Sequence, residues 1–241
     1  MPKITVKKLT SEYTLDKKTN IVALNEASVV FNDGEISVII GSSGSGKTTL
    51  ARSIIGLGNI KSGSVLYDDK NVTYLPPSER NVSYVNQDLV LFPKMNVFNN
   101  IAFPLKISGV PSDEIRERVK EISILLGVEK LLTRKIKEIS IGQAQRVLIA
   151  KALIKRATIY VFDEPFSNLD KATSMQLTSE LKKIFSKLDS TVIFISHDIQ
   201  EAIMMADKIF VMEEGKIIAS DSPRNLLKSK DKRIKPFFVD L

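Results

Sequence analysis

Gly41-Ser42-Ser43-Gly44-Ser45-Gly46-Lys47-Thr48 fits the spacing G-x-x-x-x-G-K-[ST]. The chemistry it serves is phosphate binding. Its glycines let the backbone curl so that successive N–H groups face inward, and a following helix adds positive potential at its start. Lys47 supplies a mobile charge for outer phosphates, and Thr48 a hydroxyl for a magnesium ion. Phosphate chemistry also needs acids near that cation. Asp163 and Glu164 directly follow the apolar run Ile159 to Phe162. There Asp163 would hold magnesium, directly or through water, and Glu164 would polarise an attacking water. Read alone, the same two acids before Pro165 would be a helix N-cap pair.

These groups need a scaffold that gathers strand ends. Val38-Ile39-Ile40 is a continuous apolar run of the central-strand type, with Ile36 to Ile40 leading into the glycine loop and a helix from Lys47 to Ile55. Val82 to Val85 leads to Asn86-Gln87, and Thr191 to Ile195 leads to Ser196-His197. In parallel sheets ligands sit beyond the carboxyl ends of strands, so four strand ends aim polar groups at one edge. His197 at that edge can contact a terminal phosphate. Ile4 to Leu9 and Ala27 to Phe31 read as paired strands, and Lys208 to Met212 turns at Glu214-Gly215 into Lys216 to Ala219.

Between about 95 and 155 the alternation is interrupted by helical spacing. Ser112 can cap a helix carrying Ile115, Val119, Ile122 and Leu126, stopped by Gly127, and a second helix runs from Ser140 to about Arg156. Ser140 and Gln143 have the spacing of a capping box, and a capped helix start is also an anion site that could serve a phosphate of another subunit. The fold class expected is α/β: a P-loop core with a mostly parallel sheet, an antiparallel β region and an inserted helical subdomain. One domain is expected over 1–241, with 1–93 and 157–241 as the core and 94–156 as the helical insertion. The tail from Arg224 to Lys235 reads as a short helix fraying into solvent.

With 241 residues the chain is long enough to bury a core, and with no cysteine it excludes disulfides, thiolate zinc sites and cysteine nucleophiles. The start MPKITVKKLTSEY lacks an apolar signal-peptide core, and no window approaches a membrane span. A formal charge of +7 fits nucleic acid, an anionic membrane surface or a merely soluble lysine-rich face.

In order and spacing these motifs resemble the nucleotide-binding subunit of ATP-binding cassette (ABC) transporters, over nearly the whole chain. The resemblance implies an Mg2+-dependent ATPase. Gly41, Ser42, Ser43, Gly44, Ser45, Gly46, Lys47, Thr48 and Thr49 look like the Walker A region. Ile159 to Glu164 looks like Walker B with its catalytic glutamate, and His197 like the switch histidine. Gln87 resembles the Q-loop glutamine, with Thr48, Gln87 and Asp163 around the metal. Ser140, Gly142 and Gln143 resemble the signature that contacts ATP in trans, Asp170 the D-loop aspartate, and Tyr13 the aromatic that stacks on adenine. Leu75-Pro76-Pro77-Ser78-Glu79-Arg80-Asn81-Val82 and the stretch from Gln87 to Leu105 look like the uptake ATPases for sugars, polyamines, iron and oxyanions. Implied partners are a second cassette (a copy or a paralogue), membrane permease subunits and, indirectly, an external solute-binding protein. No nucleic acid is implied, and the implied location is the cytoplasmic face of the cell membrane.

Two departures stand out. Ile141 occupies a position where the family signature usually has glycine, which puts a branched side chain where a backbone should approach a γ-phosphate and disfavours positive φ. Many importers of this group also carry a C-terminal regulatory domain; this sequence ends at Leu241, either because the subgroup lacks that domain or because it has been left off. The rival readings are a degenerate subunit that needs a competent paralogue and a soluble, non-transport ABC ATPase. Small-molecule kinases and GTPases share the P-loop but not the later motifs.

Overall fold

Strands Ile4–Thr14 (β1) and Asn20–Phe31 (β2) form a long antiparallel pair, and Ile36–Ile40 (β3) is buried along its whole length. The computed structural model describes residues 1–14, 20–86 and 90–238. β1 and β2 belong to a four-stranded antiparallel sheet of order β2-β1-β4-β5, completed by Ser62–Tyr67 (β4) and Lys70–Asn71 (β5). The second sheet has six strands in the order β10-β9-β3-β8-β7-β6, from Val82–Val85 (β6), Ile159–Asp163 (β7), Thr191–Ile195 (β8), Lys208–Glu213 (β9) and Lys216–Asp221 (β10). All its pairings are parallel except that of β10, an antiparallel edge strand.

Side chains alternate between two faces along each parallel strand. Ile39, Val161 and Ile193 join a cluster with Leu50 and Ile54 of the helix Lys47–Ile55 (α1) and with Ile4, Leu9 and Phe31 of the antiparallel sheet. Val38, Phe162 and Phe194 face the opposite way. They pack with helices Val97–Ile107 (α2), Ser112–Leu125 (α3), Ile141–Leu153 (α4), Lys171–Phe185 (α5) and Ile199–Met205 (α6). Covered on both faces, β3, β7 and β8 have no exposed residue, which is why 38–40, 159–162 and 192–195 read as unbroken apolar runs.

Three local expectations change, and the alternative reading of the two acids as a helix cap falls away. Ser112 is the first helical residue of α3 and Pro111, with φ −57° and ψ 144°, holds the cap position, where its missing N–H costs no helical hydrogen bond. α4 stops at Leu153, three residues short of Arg156. No helix begins at the Asp163-Glu164 pair; the next one, α5, starts at Lys171 with Asp170 as its cap. The tail does not fray: a short helix, Pro223–Leu227 (α7), buries Leu226, and Ile234 is buried beyond it, both in the core cluster.

Arg80 ties the far end of α1 to the loop before β6. Only 3% exposed, it donates through Nε to the Leu75 carbonyl (2.8 Å), through Nη1 to Ser53 (3.1 Å) and Ile54 (2.6 Å), and through Nη2 to Thr73 (3.0 Å). A cation at the C-terminal end of a helix is favoured by the dipole as well as by these bonds. Arg80→Met leaves the buried carbonyls without a donor and is expected to lower stability by about 3 kcal/mol or more, read as a shift of the urea unfolding midpoint.

Candidate functional site

The loop after β3 is shaped by two close approaches. A Cβ on Gly41 would stand 2.2 Å from the Met212 carbonyl oxygen, and one on Gly46, at φ +102°, would stand 2.4 Å from that of Ala23. Neither position admits a side chain. The Ser45 N–H donates to the Ser42 carbonyl (3.2 Å), and the Gly215 N–H donates to the Ser45 carbonyl (3.0 Å), anchoring the loop to the β9–β10 turn. Lys47 Nζ donates to the carbonyls of Gly41 and Ser42, each at 2.9 Å. Burial lowers the Lys47 pKa, while Glu164 and Asp163 act in the opposite sense.

Helix α1 starts here without a side-chain cap and without an acid in its first turn. α2, α4, α5, α6 and α7 are capped by Asn96, Ser140, Asp170, Asp198 and Ser222, and α3 carries Asp113 and Glu114 in its first turn. Among the described helices, α1 alone presents its free N–H groups with nothing of its own to balance them, which suits an anion.

Asp163 ends β7 against this helix start. It is 3% exposed; its Oδ1 accepts from Thr48 Oγ1 (3.1 Å) and its Oδ2 from the Tyr84 hydroxyl (3.0 Å). Burial pushes the Asp163 carboxyl up from its ordinary value, and the two hydroxyls pull it back. Burial is also the main cause that raises the Tyr84 phenol, which keeps it a neutral donor. No group of three or more His, Cys, Asp or Glu arranged to hold a metal ion exists among the described residues. Thr48 and Asp163 instead offer a small set of hard oxygen donors, the kind that suits Mg2+ shared with phosphate and water oxygens.

Glu164 adopts φ +49°, a left-handed backbone that a non-glycine residue takes only at a cost. Its N–H donates to the Ile195 carbonyl (3.0 Å), which ties the end of β7 to β8. Its Oε2 lies 3.2 Å from Nδ1 of His197, whose side chain is 62% exposed. An acceptor carboxylate and an imidazole thus share one hydrogen bond at the sheet edge, an arrangement able to take up a proton from a water beside them.

A cavity of about 410 Å³ has a wall that includes Tyr13, Ser43, Gly46, Lys47, Thr48 and Glu164, with Asp163 and His197 held behind Thr48 and Glu164 by their hydrogen bonds. Tyr13 and the phosphate loop, expected together, are therefore brought together. Ser140, Gly142 and Gln143 do not line it. They form the start of α4, where the Gln143 N–H donates to Ser140 Oγ (3.3 Å) and the Ser140 N–H to Gln143 Oε1 (3.0 Å), the expected capping box. A Cβ on Gly142 would meet only Thr173 Cγ2, at an ordinary 3.4 Å, so this chain's own packing does not require glycine there. Asp170 accepts from the N–H (3.0 Å) and hydroxyl (2.7 Å) of that same Thr173. Ile141 is the first residue of α4, 59% exposed and not in the left-handed region, so the expected conflict with a positive φ does not arise. Gln87 lies outside the described residues.

Sequence reasoning missed Tyr84. It is paired with Val161 in β7, and Asp163 projects from the same face two residues on. A polar-tipped aromatic inside an apolar strand was the available signal, but its target depended on knowing that β6 and β7 are neighbours.

Comparison with known proteins places this geometry. A family model described as ABC transporter matches residues 24–167. The osmoprotective compounds uptake ATP-binding protein GgtA of Synechocystis sp. is 42% identical over 85% of this chain and 56% of its own length. The trehalose/maltose import ATP-binding protein MalK of Thermococcus litoralis is 41% identical over 84% and 56%. The chain thus spans little more than half the length of these relatives. Among solved structures, a dimeric ATP-binding cassette in a post-hydrolysis state with ADP and Pi superposes with a TM-score of 0.81 at 28% identity, covering 92% of this chain and 99% of that one. Clostridium perfringens cbiO1, part of the cbiONQ transporter complex, gives 0.83 at 29% identity over 99% and 95%. From the matched family model and these relatives, the chain belongs to the ATP-binding cassette family of ABC transporters.

Proposed function

We propose that this chain is the Mg2+-dependent ATP-binding and hydrolysing subunit that powers solute uptake through a membrane permease, at the cytoplasmic face of the cell membrane. The observation that carries the reading is one cavity walled by Lys47, Thr48 and Glu164, with Asp163 hydrogen-bonded to Thr48 and His197 to Glu164.

In this reading Gly41 to Thr49 and Lys47 hold the phosphates and Tyr13 packs against the base. Thr48 and Asp163 hold Mg2+, with Gln87 as a further ligand; when bound, the ion neutralises charge developing on the phosphates. Glu164 takes the proton of the attacking water, and His197 orients Glu164 and the terminal phosphate. Ser140, Gly142 and Gln143 are absent from the cavity wall, which supports a head-to-tail dimer, with a copy or a paralogue, in which each signature completes the partner's site. Asp170 then lies at the shared boundary. The absence of any need for glycine at 142 within the chain points the same way: the space is kept for something that arrives from outside.

For the permease, a separate groove of about 420 Å³ lined by Leu57, Val85, Val90, Pro104 and Leu148 offers an apolar seat for a short helix. Lys151 borders it, donating to the Val90 carbonyl (2.9 Å) and lying 4.3 Å from the Phe92 ring centroid. An external solute-binding protein would act through the permease. No helix among the described residues is long and apolar enough to cross a membrane.

The deciding experiment is the Mg-ATPase rate of the purified chain against its own concentration. A rate per molecule that rises with concentration is expected; a flat rate at the blank level, with no nucleotide bound, overturns the reading. The exposed Ile141 is the one observation favouring a degenerate subunit. Because Ile141 keeps a helical backbone, its N–H remains available, and Ile141→Gly is expected to raise the rate by less than the ~10²-fold that a restored oxyanion donor gives. A larger gain, in the same assay, would establish degeneracy.

A further inference from the structure

We propose that Tyr84 is a positioning residue of the cation site, fixing which oxygen of Asp163 faces the bound Mg2+. This inference rests on the proposed function and goes beyond it.

Asp163 has two carboxylate oxygens, and the structure distinguishes them. Oδ1 is beside Thr48 Oγ1, on the side of the phosphate loop, whereas Oδ2 is taken by the Tyr84 hydroxyl at 3.0 Å. The phenol reaches it from the neighbouring strand: Tyr84 pairs with Val161, and the same face of β7 carries Asp163 one pleat further. Both side chains sit at the edge of the cluster between the sheet and α1, with Tyr84 half-buried against it and Asp163 almost wholly buried. A buried carboxylate with one free oxygen would be able to turn about its Cβ–Cγ bond and present either oxygen, or both. The Tyr84 hydroxyl removes that freedom, so that Oδ1 and Thr48 Oγ1 stay together as a pair of hard donors. Hydrogen bonds that orient a metal-binding carboxylate in this way contribute to metal affinity as well as to geometry.

The test is an equilibrium titration of mant-ATP fluorescence with the full chain, wild type and Tyr84→Phe, in EDTA and over a range of Mg2+. The expected result is unchanged affinity in EDTA and a Mg2+ half-saturation raised about 10- to 100-fold in the variant. Equal Mg2+ half-saturation in the two proteins overturns the inference. So does a matching loss of affinity in EDTA, which would mean that Tyr84 shapes the loop and not the cation site. Should Tyr84→Phe fail to give the wild-type circular dichroism spectrum, Tyr84→Met is measured by the same criteria, since it fills the space without a hydroxyl. Wild-type protein that binds mant-ATP in neither condition overturns the proposed function itself. Wild-type binding that Mg2+ does not strengthen overturns the cation site, and this inference with it.

Discussion

Glu164→Gln is expected to lower kcat for ATP hydrolysis by about 10²- to 10⁴-fold, the usual contribution of a positioned general base. The amide matches the carboxylate in shape, so the backbone bond from the Glu164 N–H to Ile195 and the contact with His197 both have their counterparts in the variant. What is lost is the ability to accept a proton. Nucleotide affinity should therefore stay near that of the wild type, since the phosphates are held by Lys47 and the loop. Hydrolysis reopens the dimer in the proposed cycle, so the variant should accumulate as a nucleotide-bound dimer in sedimentation velocity runs with Mg-ATP. Wild-type turnover in this variant would remove Glu164 from the mechanism.

Lys47→Ala should act at the other step. Each charge-assisted hydrogen bond contributes about 1.5–3 kcal/mol. Two lost phosphate contacts correspond to an ATP affinity lower by roughly 10²- to 10⁴-fold, measured by mant-ATP titration. The loop also loses an internal partner, because Lys47 Nζ bridges the Gly41 and Ser42 carbonyls. Urea unfolding without nucleotide separates the two effects: the loss of affinity should far exceed the loss of stability. Unchanged affinity would exclude Lys47 from phosphate binding.

The strands that carry the site could be read directly because burial on both faces leaves little room for polar residues. β3, β7 and β8 each announce themselves as apolar runs, and the chemistry begins where each run stops, at Gly41, Asp163 and Ser196. The antiparallel pair was harder to delimit. Its register shifts between Val6, Leu9, Ser11 and Glu12 break the period-two pattern, and Ser11 is buried because it donates to the Asn59 carbonyl (2.5 Å), a contact made across 48 positions. Ile234 was hidden for a related reason: one apolar residue in a lysine-rich stretch gives no period, and only the core cluster reveals where it goes. The Tyr84–Asp163 bond spans 79 positions and depends on strand order, which single-sequence patterns do not encode.

The bare start of α1 has a consequence for the life of the protein in a cell. With Gly46 at the cap position, this helix end is a local weakness of about a few tenths of a kcal/mol in the free chain. A bound phosphate group removes it, and because nucleotide binds the native state and not the unfolded chain, occupancy is converted into fold stability. At a free concentration a thousand times the dissociation constant the gain is about 4 kcal/mol. On the proposed reading, the abundance of this subunit is coupled to energy supply. A fall in free nucleotide is then expected to raise the unfolded fraction of the chain and its exposure to proteolysis.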